Sequence, residues 1–156
     1  MTYRKSRFIR LSQTHLSSAE SVSIHDSFSR FVTIHGTHEA IVKDTVGYNA
    51  FGHGYFLEDG YETENHLLGN LGVHIKPGII LPSERHQSIC NLTNDGFPGA
   101  NPNWPRGICA GLSVFWISNL ENTLHDNASV GGKAGIWAFN HSGSQQYAYQ
   151  AIPVTV

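Results

Sequence analysis

The sequence predicts an all-β chain wound as a right-handed parallel β-helix, and three observations carry that prediction. First, short β-rich runs at 32–34, 40–42, 55–57, 66–68, 114–117 and 135–137 alternate with Gly, Asn, Asp and His turns. No convincing helical period lies among them. Second, residues 24–35 echo residues 47–58 at an offset of 23. Asp26 falls on Asn49, Ser27 on Ala50, Phe28 on Phe51, Ser29 on Gly52, Arg30 on His53 and Ile34 on Leu57. Third, Thr45-Val46-Gly47, Asn70-Leu71-Gly72 and Asn127-Ala128-Ser129 form a further echo. A rung of a little over twenty residues, with three short strands and polar corners, pairs with the next at about 4.8 Å. A jelly-roll sandwich is the alternative fold, but it requires no fixed offset.

Composition agrees with an all-β chain that works outside the cell. The 156 residues suffice for one domain with its own core. Only 14% are charged against 40% apolar, so Ser, Thr, Asn, Gln and His must build much of the surface. Disorder is excluded, because it needs low hydrophobicity with high charge. The formal net charge is −2, and the one basic cluster is Arg4, Lys5, Arg7 and Arg10. Nucleic acid is therefore not an expected partner. Ten histidines would add positive charge in an acidic compartment.

No apolar run is long enough to span a membrane, and residues 1–16 lack the apolar core of a signal peptide. Taken literally, that is cytosolic. Three sequons, at Asn91, Asn127 and Asn140, point outward instead. So do the only two cysteines, Cys90 and Cys109. In a secreted protein they read as one disulfide, which would staple a loop by about 3 kcal/mol; otherwise they are two buried thiols. The signals are reconciled if the start of a longer protein is missing, and the chain is expected to be a fragment.

Residues 1–20 show no clear period and stay unassigned, so residues 21–156 are expected to form one β-helix domain. The stretch 76–111 breaks the rhythm with Lys76-Pro77-Gly78, Leu81-Pro82-Ser83 and a Pro/Asn-rich run from Phe97 to Pro105. It reads as a loop projecting from one rung, able to wall a groove.

The run from Gly52 to Thr63, GHGYFLEDGYET, resembles a signature shared by three groups of proteins. These are the cell migration-inducing and hyaluronan-binding protein, the transmembrane cell-surface hyaluronidase and the fibrocystin-like proteins. The run VTIHGTH before it is similar too, as are Asn70-Leu71-Gly72, KPGIILPSER and Phe115-Trp116-Ile117-Ser118-Asn119 after it. The resemblance runs from about Ser23 to Phe139, and residues 1–20 fall outside it. The paired cysteines around the loop look like the cell-surface hyaluronidase branch. The resemblance implies a large extracellular β-helix protein, hyaluronan as ligand and, in two members, calcium-dependent depolymerisation.

The 23-residue register stacks His35 on Glu58 and Arg30 on His53, about 5 Å apart on adjacent rungs. Such neighbours can share a proton, and glycosidic cleavage needs one group as acid and a second as base or nucleophile. The candidate catalytic residues are His35, His53, Glu58 and Asp59. Glu58 is the expected proton donor or acceptor, and Asp59 is expected to orient a neighbour or cap the turn. Arg30, Lys76 and Arg85 are the candidate partners for the carboxylates of an acidic polysaccharide. Trp104 or Tyr61 would stack on sugar faces. Calcium would use Glu58, Asp59 and Glu62. A zinc-protease pattern begins at His38-Glu39 but lacks its second His, because position 42 is Val. Two functions follow: a hyaluronidase-type glycosidase segment, inactive by itself, or a non-catalytic β-helix that binds glycan or spaces other domains. A polar ladder pair is the purely structural account of His35 and Glu58.

Overall fold

The computed structural model describes residues 8–76 and 113–138, and the account below concerns these. They form thirteen strands and no helix. Five build the first sheet: β1 (Ile9–Ser12), β4 (Val32–His35), β7 (Tyr55–Leu57), β10 (Ser113–Ile117) and β13 (Ala134–Ala138). The second sheet holds β2 (Ser18–Glu20), β5 (Ile41–Lys43), β8 (His66–Leu68) and β11 (Thr123–His125). The third holds β3 (Ser23–Ser27), β6 (Val46–Phe51), β9 (Leu71–Lys76) and β12 (Ala128–Val130). Every pairing is parallel and joins each strand to its counterpart one rung away. This is a parallel β-helix of four rungs and the first strand of a fifth. Val32 pairs with Tyr55 and Ile34 with Leu57, the expected register.

The helix starts earlier than the sequence suggested. Residues 9–20, unassigned above, supply β1 and β2 of the first rung, with Ile9 on Val32 and Ser18 on Ile41. Their apolar positions are too sparse to show a period. Only pairing with the next rung fixes them.

Alternation explains the core. Inward residues stack as Val32–Tyr55–Phe115, Ile34–Leu57–Ile117 and Val42–Leu67, all buried. Gly47 and Gly72 face the same interior in register. A Cβ there would sit 2.3 Å from the Phe31 ring or 2.2 Å from Val114, so glycine makes room for the large rings. The corners use left-handed backbone in columns. Asp26, Asn49, His74 and Gly131 all have positive φ at equivalent places, as do Ser21, Asp44, Gly69 and Asp126. Asp, Asn and Gly tolerate that conformation best, which accounts for their recurrence at the turns.

Two asparagine columns satisfy buried corner backbone. Asn70 accepts from Thr45 N at 3.1 Å and donates to Val42 O and Asn127 Oδ1, both at 2.9 Å. Asn65 accepts from Ala40 N and donates to Asn122 Oδ1, again at 2.9 Å. The sequon residue Asn127 is thus part of a ladder, and its Nδ2 donates to Leu67 O at 2.7 Å. A glycan on that nitrogen would leave a single N–H to keep this bond. Cys90, Cys109, Asn91, Asn140, Arg85 and Trp104 lie outside the described residues.

Candidate functional site

The 23-residue spacing of the first two rungs lengthens at the next step. From the second rung to the third, the second and third sheets step by 25 residues instead of 23. The extra residues fall in the turn after β7, at Glu58-Asp59-Gly60-Tyr61, inside the signature quoted above. This turn carries the candidate site.

Glu58 continues the register of β7, since its N–H donates to Ile34 O at 2.9 Å. It therefore lies beside His35, with Glu58 Oε2 at 3.4 Å from His35 Nδ1. Regular alternation would send Asp59 to the opposite face. The turn brings it back, and Asp59 Oδ2 lies 2.9 Å from the same His35 nitrogen. Gly60, at φ +84°, allows the reversal. The fully buried Glu62 fastens it: Oε1 accepts from Asp59 N (2.9 Å) and Gly36 N (3.2 Å), and Oε2 accepts from Gly60 N (2.7 Å).

The two carboxylates differ in access. The Glu58 side chain is 6% exposed and the Asp59 side chain 27%. Burial raises the Asp59 pKa above the ordinary aspartate value. Repulsion from Glu58 adds to the rise, while His35, Arg10 and the Gly36 N–H oppose it. Arg10 closes the cluster, its guanidinium 3.4 Å from Glu58 Oε2. Tyr61 lies half-exposed across Gly36, close enough that a Cβ there would meet its hydroxyl at 2.8 Å. His38 is tilted against Tyr61 at 5.9 Å, and its Nδ1 accepts from Thr63 N at 3.2 Å. That bond leaves the outer ring nitrogen of neutral His38 as the donor.

His53 and Arg30 occupy the other end of the same sheet. The outer row of that sheet reads Arg10, Thr33, Phe56, Trp116, Trp137 in register. The Trp116 and Trp137 rings stack at 6.1 Å. His53 packs between Phe56 (5.2 Å) and Trp116 (4.3 Å). The Arg30 guanidinium lies over Phe56 at 4.6 Å. Both residues are buried. Burial lowers the Arg30 pKa to about 10, with Glu58 acting against the shift. His53 is held well below the ordinary imidazole range, by burial first and then by Arg30. Lys76 sits apart, at the end of β9, with its ammonium 5.4 Å from the Phe51 ring centre.

The structure therefore joins His35, Glu58 and Asp59 and sets His53 and Lys76 apart, while Arg30, over Phe56, still acts electrostatically on Glu58. The cation at the cluster is Arg10, which the sequence reading left unused. Carrying the 23-residue step back one rung would have placed Ser12 beside His35 and Arg10 next to it. Phe56 and Trp116 were also missed, because these register partners lie 60 residues apart and not 23. Of the expected calcium ligands, Glu62 already accepts three backbone N–H bonds on its two oxygens. Among the described residues, no group of three or more His, Cys, Asp and Glu is placed to hold a metal ion.

His53 sets a measurable pH dependence. The folded chain keeps it neutral, while the unfolded chain takes up a proton near pH 6.5. Its stabilising effect is complete above pH 6.5 and is lost as pH falls, by up to about 1.4 kcal/mol per pH unit. Urea unfolding of His53→Phe should show a shallower loss of stability below pH 6.5 than the parent chain. Equal slopes would remove His53 from the acid sensitivity.

Comparison with known proteins identifies this architecture. The family model described as the CEMIP beta-helix matches residues 6–154. The chain belongs to the CEMIP β-helix family. The family match takes in residues 6–20, which the sequence resemblance left out. The chain is 43% identical over 128 residues to "Cell surface hyaluronidase CEMIP2" of Homo sapiens, covering 81% of this chain and 9% of that protein. It is 45% identical over 138 residues to "Cell surface hyaluronidase" of Danio rerio, covering 87% and 10%. With "Cell migration-inducing and hyaluronan-binding protein" of Homo sapiens it shares 43% over 122 residues, covering 77% and 9%. The chain thus spans about a tenth of the length of these CEMIP relatives.

Proposed function

We propose that this chain supplies the substrate-binding and proton-donating face of an extracellular, hyaluronan-depolymerising β-helix protein. The observation that carries the reading is the convergence of Glu58 and Asp59 on one nitrogen of His35. The names of the CEMIP relatives supply the polysaccharide. Two carboxylate oxygens within 3.4 Å of a single nitrogen lie closer than the roughly 6.5–9.5 Å of an inverting glycosidase pair. They act as one proton-holding unit rather than as acid and base on opposite sides of a sugar.

Asp59 is the member that meets substrate, because it is the more exposed and burial shifts its pKa in the direction that favours the protonated form. The 23-residue register alone points to Glu58 for that role. In the hydrolytic step the Asp59 proton passes to the glycosidic oxygen as its bond to the anomeric carbon breaks. Water then adds its hydroxyl to that carbon and returns a proton to Asp59. Arg10 pairs with a uronate carboxylate, and Tyr61 offers an aromatic face to a sugar ring. The mechanism routes no step through calcium.

Titration calorimetry with hyaluronan oligosaccharides tests the binding half. Tyr61→Ala should weaken binding roughly twofold to tenfold, the worth of about 0.5–1.5 kcal/mol of ring contact. Neutral dextran should not bind. Absence of hyaluronan binding would defeat the reading. A second reading, a non-catalytic glycan-binding or structural module, draws on the burial of Glu58 between His35 and Arg10. It predicts binding without any shortening of the polysaccharide.

A further inference from the structure

We infer that Glu62 is a positioning residue, and that its buried carboxylate makes the site by holding Asp59 against His35. The inference rests on the acid–base reading of His35, Glu58 and Asp59, but its test is independent of that reading.

Glu62 is 0% exposed, and the groups it faces are backbone N–H donors. Burying a carboxylate is expensive unless hydrogen bonds replace its water. Three charge-assisted bonds do so here, and each goes to backbone of the site. Two hold the turn itself, at Asp59 N and Gly60 N, and the third holds Gly36, the residue after His35. One side chain therefore ties the backbone bearing Asp59 to the backbone bearing His35. The Glu62 carbonyl is anchored in turn, accepting from Asn122 Nδ2 at 2.8 Å. Consecutive residues in a strand cannot both face one partner, so the convergence of Glu58 and Asp59 depends on this clamp. It also explains the spacing: a turn lengthened by two residues can fold back and place an acid inside its own loop.

Glu62→Gln removes the charge and turns an amide NH₂ toward one of the three N–H donors. Donor then faces donor, and the turn should open. The charged or titratable groups around Asp59 are His35, Glu58, Arg10, Tyr61 and Glu62. An Asp59 carboxyl released from them to water titrates closer to an ordinary aspartate. Carbon-detected NMR titration should therefore move the Asp59 midpoint down in Glu62→Gln. Glu62→Asp, one methylene short, should move it less. A merely structural glutamate would lower stability and leave that midpoint where it is.

An unmoved midpoint in folded Glu62→Gln would overturn the inference. Should Glu62→Gln lose the fold, Gly60→Ala decides. It keeps the carboxylate but strains the same turn at φ +84° and must lower the midpoint; an unmoved value overturns the inference equally. No substrate is needed. A protein that never cuts hyaluronan leaves the positioning role standing, and an unmoved midpoint leaves the cleavage reading intact.

Discussion

Asp59→Asn should lower hyaluronan cleavage by about 10²–10⁴-fold while folding and hyaluronan binding persist, because it removes the transferable proton and little else. Chain length of the polysaccharide, followed by gel filtration in the protein that carries this chain, is the measurement. Glu58→Gln acts differently. Glu58 helps hold the Asp59 pKa up, and cleavage needs Asp59 protonated. The rate therefore falls as pH rises through the Asp59 pKa. Removing the Glu58 charge lowers that pKa and moves the alkaline edge of activity to lower pH. A full rate for Asp59→Asn would remove Asp59 from the chemistry. An unmoved edge in Glu58→Gln would show that the two carboxylates do not interact as their geometry requires. A Glu58→Gln chain that cannot fold would favour the structural ladder.

Asn70→Leu should destabilise the chain by about 2–5 kcal/mol, a large share of the 5–15 kcal/mol that holds a typical domain together. Asn70 is buried and serves Thr45 N and Val42 O at once. Leucine takes the side-chain partner from both backbone groups and removes the Nδ2 bond to Asn127, leaving only the backbone N–H of residue 70 on Asn127 Oδ1. Thr45 Oγ1 keeps Tyr55 Oη, at 2.9 Å, so the loss stops short of collapse. Urea unfolding gives the number. A change below about 1 kcal/mol would mean that water replaces the ladder.

Much of this protein was legible in one dimension because a β-helix writes its contacts as a period. The Asp26–Asn49, Phe28–Phe51 and Arg30–His53 matches are neighbours on adjacent rungs. The Thr45, Asn70 and Asn127 echo is the corner ladder itself. His35 and Glu58 met for the same reason. Side chains that repeat every 23 residues lie about 4.8 Å apart, so alignment of the chain with itself is a contact map.

What the sequence by itself determined was therefore the architecture, the register of its second and third rungs and one pair of the candidate site. The tertiary structure alone decided the rest. The strand Ile9–Ser12 is too short to declare a period, and its pairing with Val32–His35 is what places Arg10 beside Glu58. The register stacked His53 on Arg30, just as it stacked Glu58 on His35. His53 lies instead between two aromatic rings, since burial depends on what packs across the sheet and not along the chain. Asp59 should by alternation face away from His35. A turn two residues longer, a glycine at positive φ and a buried carboxylate three positions on reverse it. Periodicity describes repeated backbone. The departure from the repeat is local, and its outcome depends on which hydrogen-bond partners the folded interior supplies.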